Sequence, residues 1–166
     1  MTGMAGGVEI AGVRAALADP RAALADLQAF ARARGGWAQL LDAGRVLGRD
    51  HVVSAFEHAS RAFGQGTNST GSLEVELLLY VSGERQISKA IDLAGVKARR
   101  PFVVVCGGVR LRVLLDRAGW RADDRVVRAT PAKLRSLGFP EAAIRSAGAR
   151  ATDLVLERVA RVDLVK

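Results

Sequence analysis

Residues 73–95 read LEVELLLYVSGERQISKAIDLAG, and the punctuation of this stretch sets the class of fold. Leu73–Val81 is so uniformly apolar that pattern alone fits a helix and a buried strand equally well. Its flanks favour the helix. Ser72 is a good N-cap, Glu74 and Glu76 suit the positive end of a helix dipole, and Gly83 supplies the stop. Glu84–Ala94 then reads as a second helix, closed by Gly95. Ile87, Ala90, Ile91 and Ala94 form its expected buried stripe, with Arg85, Lys89 and Asp92 on a more polar face.

Upstream of this pair, Asp50 is expected to cap a helix carrying Val52, Val53, Phe56, Ala59 and Phe63 on one face. That helix runs into the clearest loop of the chain, GQGTNSTG at 64–71. Val8–Val13 and Trp37–Leu41 read as strands. Between them Asp19-Pro20 opens a helix with Ala23, Leu24, Leu27, Phe30 and Ala31 at helical spacing, and Gly35-Gly36 stops it. Downstream, the basic linker KARR at 97–100 leads into FVVVC at 102–106, the strongest strand in the sequence. Gly107-Gly108 turns the chain into a short helix around Arg110–Arg117. Asp124–Ala129 is read as a further strand, Thr130-Pro131 and Pro140 open short helices, and Thr152–Val162 forms a final amphipathic helix on Val155, Leu156, Val159 and Val162. No internal repeat is visible. The mixture predicts an α+β fold, a small β-sheet covered by several helices, as a single domain over residues 8–166 after a flexible N-terminal segment 1–7.

The 166 residues are 49% hydrophobic, enough to bury a core. Lysine and arginine number 25 against 17 acids, a formal net charge of +8. That balance favours an anionic partner such as nucleic acid, phosphate or an acidic protein surface, although a basic composition also serves plain solvation. The single cysteine, Cys106, makes no internal disulfide and fits a reducing compartment. Neither a leader pattern nor a run of about 18 to 20 apolar residues is present, so a cytoplasmic protein without a membrane role is expected.

Catalytic motifs are hard to find. No phosphate-binding loop of the G-x-x-x-x-G-K-[ST] type occurs. Gly107-Gly108 between strand and helix offers either a weak anion site or a plain tight turn. His51 and His58 lie on similar faces of one helix without clear further ligands, so they read as packing or surface residues. Cys106 reads as a buried structural thiol and Asp123-Asp124 as a solvated turn.

The block Leu73–Gly95 resembles the PRPK-binding-protein (TPRKB-like) family, a subunit of the KEOPS tRNA-modification complex. The residues that carry the likeness are Glu76, Tyr80, Arg85, Gln86, Ile87, Ala90, Ile91 and Gly95. GRDHVVSAFEHASRAF at 48–63, the polar Thr67-Asn68-Ser69 and ATPAKLRSLG at 129–138 also fit, so the likeness extends from about residue 38 onward. It implies a non-catalytic subunit of the machinery that makes threonylcarbamoyladenosine in tRNA. Such a subunit docks on the small kinase-like ATPase subunit and binds the single-stranded 3′ CCA end of tRNA. No cofactor and no metal are implied.

On that reading Arg85, Lys89, Lys97, Arg99 and Arg100 hold the RNA backbone, with Arg61 as a weaker candidate. Gln86 reads a base edge and Ile87 gives apolar contact to a base, unless Ile87 is simply core. Leu154, Val155, Arg158 and Val162 of the final helix are expected near the kinase-like partner, unless that helix merely covers the sheet. The alternative is a protein-interaction module that does not touch RNA.

Overall fold

The computed structural model describes residues 7–164, so the expectation for the N-terminal segment lies, Gly7 apart, outside the described residues. The backbone groups into two units: residues up to 43 with 95–127, and 44–94 with 128 onward. The fold is α+β, as the sequence implies.

The first unit is built on a three-stranded antiparallel sheet with β1 (Glu9–Val13), β2 (Trp37–Asp42) and β3 (Phe102–Gly107) in the order β1-β3-β2. β3 fills the central place because every residue of the apolar run is buried, which only a strand paired on both sides and covered can satisfy. β1 and β2 are therefore parallel to each other, joined by helix α1 (Pro20–Arg32). The register sets Ala11 and Leu40 beside Val104, and Val13 beside Phe102. These residues pack against Leu27 and Ala31 of α1 and against Leu114 and Leu115 of α5 (Leu111–Ala118). Asp19 caps α1 by accepting from Ala22 N–H. Cys106 is fully buried, and that burial pushes its thiol up to about 12, as befits an inert core residue.

Asp124–Val127 forms a 3-10 turn and not the expected strand. The reason is Asp123. Its carboxylate accepts the Arg125 N–H and both Arg125 and Arg14 guanidinium groups, which bends the chain, and these partners hold the carboxyl well below the usual range. The turn lies directly on Gly12, with Asp123 N–H donating to Gly12 O at 2.6 Å. A Cβ on Gly12 would sit 2.1 Å from Val126 Cγ2 and 2.5 Å from the Asp123 carbonyl oxygen. Backbone cannot step aside cheaply, so Gly12→Ala is expected to cost about 3 kcal/mol or more. Gly64, inside helix α2 (Arg49–Gln65) with open space around it, gives the opposite sign: Gly64→Ala should stabilise by about 0.5–1 kcal/mol. Thermal melts of the two variants measure both shifts.

The second unit is helical: α2 (Arg49–Gln65), α3 (Leu73–Ser82), α4 (Ile87–Ala94), α6 (Pro131–Ser136), α7 (Glu141–Ala147) and α8 (Ala151–Leu164). α3 settles the ambiguity of the apolar run. Leu77–Val81 are all buried, Glu74 and Glu76 with them, so this helix is surrounded on every side. Ser72 accepts from Val75 N–H at its start. Gly83 ends it in the left-handed region (φ 73), and Glu84 N–H returns to Leu79 O.

That closing turn uses up Glu84–Gln86, so α4 begins at Ile87 and not at Glu84. Only Ala90 and Ala94 of its expected stripe are fully buried, whereas Ile87 is 41% and Ile91 44% exposed. Two alanines let α4 approach α3 closely, and the larger isoleucines are left on the flank. α2 likewise starts one residue before Asp50, at Arg49, because Gly48 (φ 95) turns the chain there. Its buried face is Val52, Ala55, Phe56, Ala59 and Ala62, with Val53 and Phe63 only half-buried. Thr130 caps α6 by accepting from Lys133 N–H.

Candidate nucleic-acid interface

The helical unit holds a groove of about 1180 Å³ along the start of α4. Arg85 and Gln86, in the turn between α3 and α4, and Lys89 on α4 line one side. Arg45, Arg158 and Arg161 line it from elsewhere in the chain, so among the described residues five cations and one carboxylate, Glu84, face the groove. Leu79, Val81 and Leu137 give it an apolar floor. A channel of this composition attracts an anion and offers surface for a planar group to rest on.

The cations are held differently. Arg158 is fixed: its guanidinium donates to Leu137 O at 3.3 Å, stacks 4.4 Å over the Phe139 ring, and its stem presses against Gly83. Burial pulls its pKa down first, with Arg161 and Arg45 adding to the effect and Glu84 opposing it. Arg45 donates to Ser136 O. Arg85, Lys89 and Arg161 enter no ion pair among the described residues. They remain able to meet an incoming phosphate.

The residues expected from sequence divide among several places. Arg85, Gln86 and Lys89 come together in the groove. Ile87 lies at the start of α4, exposed but outside the groove lining, so it is not core. Arg61 on α2 is exposed and acts electrostatically on the Tyr80 hydroxyl, away from the groove lining. Lys97, Arg99 and Arg100 belong to the sheet unit. There Lys97 donates to Gly95 O, Arg100 pairs with the buried Asp42 at 3.5 Å, and Arg99 is exposed at the turn with a left-handed φ of 58°.

The final helix requires a correction. Val155 and Val162 are buried at 1% exposure in the interior of their unit, so they give a docking protein almost no surface, and Val162 lies on the groove lining. Arg158 lines the groove, and Leu154 is half-buried. The helix is tied down at its end by Asp163, which accepts from Tyr80 O–H and bonds His58 Nδ1. His51 is a packing residue: Leu47 N–H donates to its Nδ1, and its Nε2–H donates to Val81 O. Among the described residues no cluster of three metal-ligating side chains exists. Beside the Gly107-Gly108 turn, Glu9 accepts from Leu111 N–H at the start of α5 and so occupies the place an anion would take at that N–H.

Arg45, Arg158 and Arg161 were missed as groove residues. Only the i, i+3 spacing of Arg158 and Arg161 was a usable signal, since it sets both on one face of a helix. A family model described as kinase binding protein CGI-121 matches residues 21–123, well over half of the chain. The chain belongs to the CGI-121 family. This is the family to which the resemblance over residues 73–95 points. The CGI-121 match starts earlier than the resemblance, taking in α1, and stops before residues 129–138 and α8. CGI-121 proteins are kinase-binding proteins. No curated protein matches the chain. No described helix is long and apolar enough to cross a membrane.

Proposed function

We propose that this chain is a non-catalytic subunit of the KEOPS complex, which docks on the kinase-like ATPase subunit and holds the 3′ CCA end of tRNA in the groove beside α4. The observation that carries the reading is the convergence of five cations and one carboxylate on a single groove, in a member of a kinase-binding family. Phosphates of an unpaired strand meet Arg85, Lys89 and Arg161. Gln86 offers an amide to a base edge. Ile87, exposed beside the groove-lining residues of α4, gives a base an apolar face. Docking on the kinase-like subunit uses the outward side of α8, where Leu154 is half-buried and Leu164 is 83% exposed.

Mobility-shift titrations with intact tRNA and with tRNA lacking CCA test the RNA half. Intact tRNA should bind at least about tenfold more tightly. Equal affinity would remove the CCA assignment. Loss of all tRNA binding, with kinase capture retained, would favour an interaction module without RNA contact. ATP turnover by this chain alone would contradict a non-catalytic role.

The turn at 97–100 offers a further cationic element, and Arg99 allows structure and binding to be separated there. A non-glycine residue in the left-handed region costs roughly 1 kcal/mol, which glycine relieves. Arg99→Gly is therefore expected to melt no lower than the parent and to bind tRNA more weakly. A lowered melting temperature, or unchanged affinity, would show that this arginine is retained for the fold.

A further inference from the structure

Resting on the RNA-binding reading, we propose that the groove also reads the sugar, with the Ser69 hydroxyl contacting a ribose 2′-OH and the buried Glu76 positioning it. The groove presents three serines. Two are already engaged: Ser82 Oγ donates to Leu79 O and accepts from Glu84 N–H, and Ser136 Oγ donates to Lys133 O. Ser69 is exposed, and its hydroxyl makes no hydrogen bond among the described residues. It is the groove hydroxyl left to serve a ligand.

Its position is built. Glu76 is completely buried inside α3, and its carboxylate accepts from Ser69 N–H at 3.0 and 3.2 Å and from Thr70 N–H at 3.0 Å. Asn68 donates to Thr70 O and Thr70 Oγ1 to Ser72 O, each at 2.8 Å, which closes the loop on itself. A buried charge satisfied by backbone N–H groups of a surface loop fixes that loop far better than loop contacts alone would. A hydroxyl is both donor and acceptor, and so is the 2′-OH that distinguishes RNA from DNA. The cations of the groove bind phosphate of either kind, so they supply affinity without this distinction.

The test compares a tRNA carrying a ribose CCA end with the same tRNA ending in 2′-deoxynucleotides, by anisotropy titration against the full chain. The parent should favour the ribose end by roughly two- to tenfold, the range of one neutral hydrogen bond. Ser69→Ala should bring that ratio close to one while leaving the salt dependence unchanged. Glu76→Gln should lower the ratio as well, by letting the loop move. Should it fail to fold, Ser69→Ala decides alone, since that side chain is on the surface. A parent that binds both ends equally, or a ratio that survives Ser69→Ala, overturns the proposal and leaves the RNA reading intact. Absence of binding to either end overturns both.

Discussion

Joint reversal of Arg85→Glu and Lys89→Glu is expected to weaken binding of the tRNA 3′ end by at least about a hundredfold at physiological salt, with no loss of fold. Both side chains are exposed, and neither enters an ion pair among the described residues, so reversal breaks no internal partner. Each cation that meets a phosphate makes a charge-assisted hydrogen bond worth roughly 1.5–3 kcal/mol, and reversal adds repulsion to its loss. Two such contacts account for a hundredfold or more, at 1.4 kcal/mol for each factor of ten. The salt dependence separates this from general damage. Each single-strand phosphate neutralised contributes about 0.7 to the slope of log affinity against log salt, so the slope should become shallower by about 1.4. Arg61→Glu is the comparison, because that side chain lies outside the groove lining. Unchanged tRNA affinity in the double variant would mean that the groove is not the RNA site.

Acid should unfold the helical unit through His51. This imidazole is fully buried, and burial is the main cause of its lowered pKa, about 4. Arg158 and Lys133 lower it further, while the Val81 carbonyl opposes the shift. Its hydrogen bonds require the neutral ring, since Nδ1 accepts from Leu47 N–H while Nε2–H donates to Val81 O. The unfolded chain takes up a proton near pH 6.5 and the folded chain only near pH 4. Stability from this group is therefore complete above pH 6.5, falls as pH drops from there to about 4, and changes no further below. The gap corresponds to about 3 kcal/mol, a large share of the stability of an ordinary domain. Chemical denaturation at a series of pH values should give a His51-dependent slope approaching 1.4 kcal/mol per pH unit inside that window. His51→Gln, which cannot titrate, should remove that part of the slope. An identical slope in the variant would assign the acid sensitivity to carboxylates.

The features legible in the sequence are local ones. Asp19-Pro20, Ser72 and Thr130 opened their helices where expected, because a cap acts through backbone groups two or three residues away. FVVVC had to be a buried strand, since no exposed surface accommodates five such residues in a row. The family block at 73–95 was readable for the same reason, its residues being contiguous. Asp124–Ala129 misled because its valines suit a strand, whereas the carboxylate of Asp123 folds the segment into a turn. Ile87 and Ile91 misled because the spacing of a stripe does not say which members face the neighbour. The small Ala90 and Ala94 drew α3 and α4 together and left the isoleucines outside.

The groove belongs to the other category. Arg85, Gln86 and Lys89 are near neighbours, so a single turn and helix bring them together from sequence alone. Arg45, Arg158 and Arg161 reach the same groove only because α6–α8 pack within that unit, a long-range event with no local signature. Packing also buried Val155 and Val162 and pinned Arg158 on Phe139. By itself the sequence determined most of the elements, the caps of α1, α3 and α6, and the family, because these follow from bonds spanning a few residues. Tertiary structure decided which charges share a surface and which apolar side chains stay in water, because those depend on how distant segments divide the available volume.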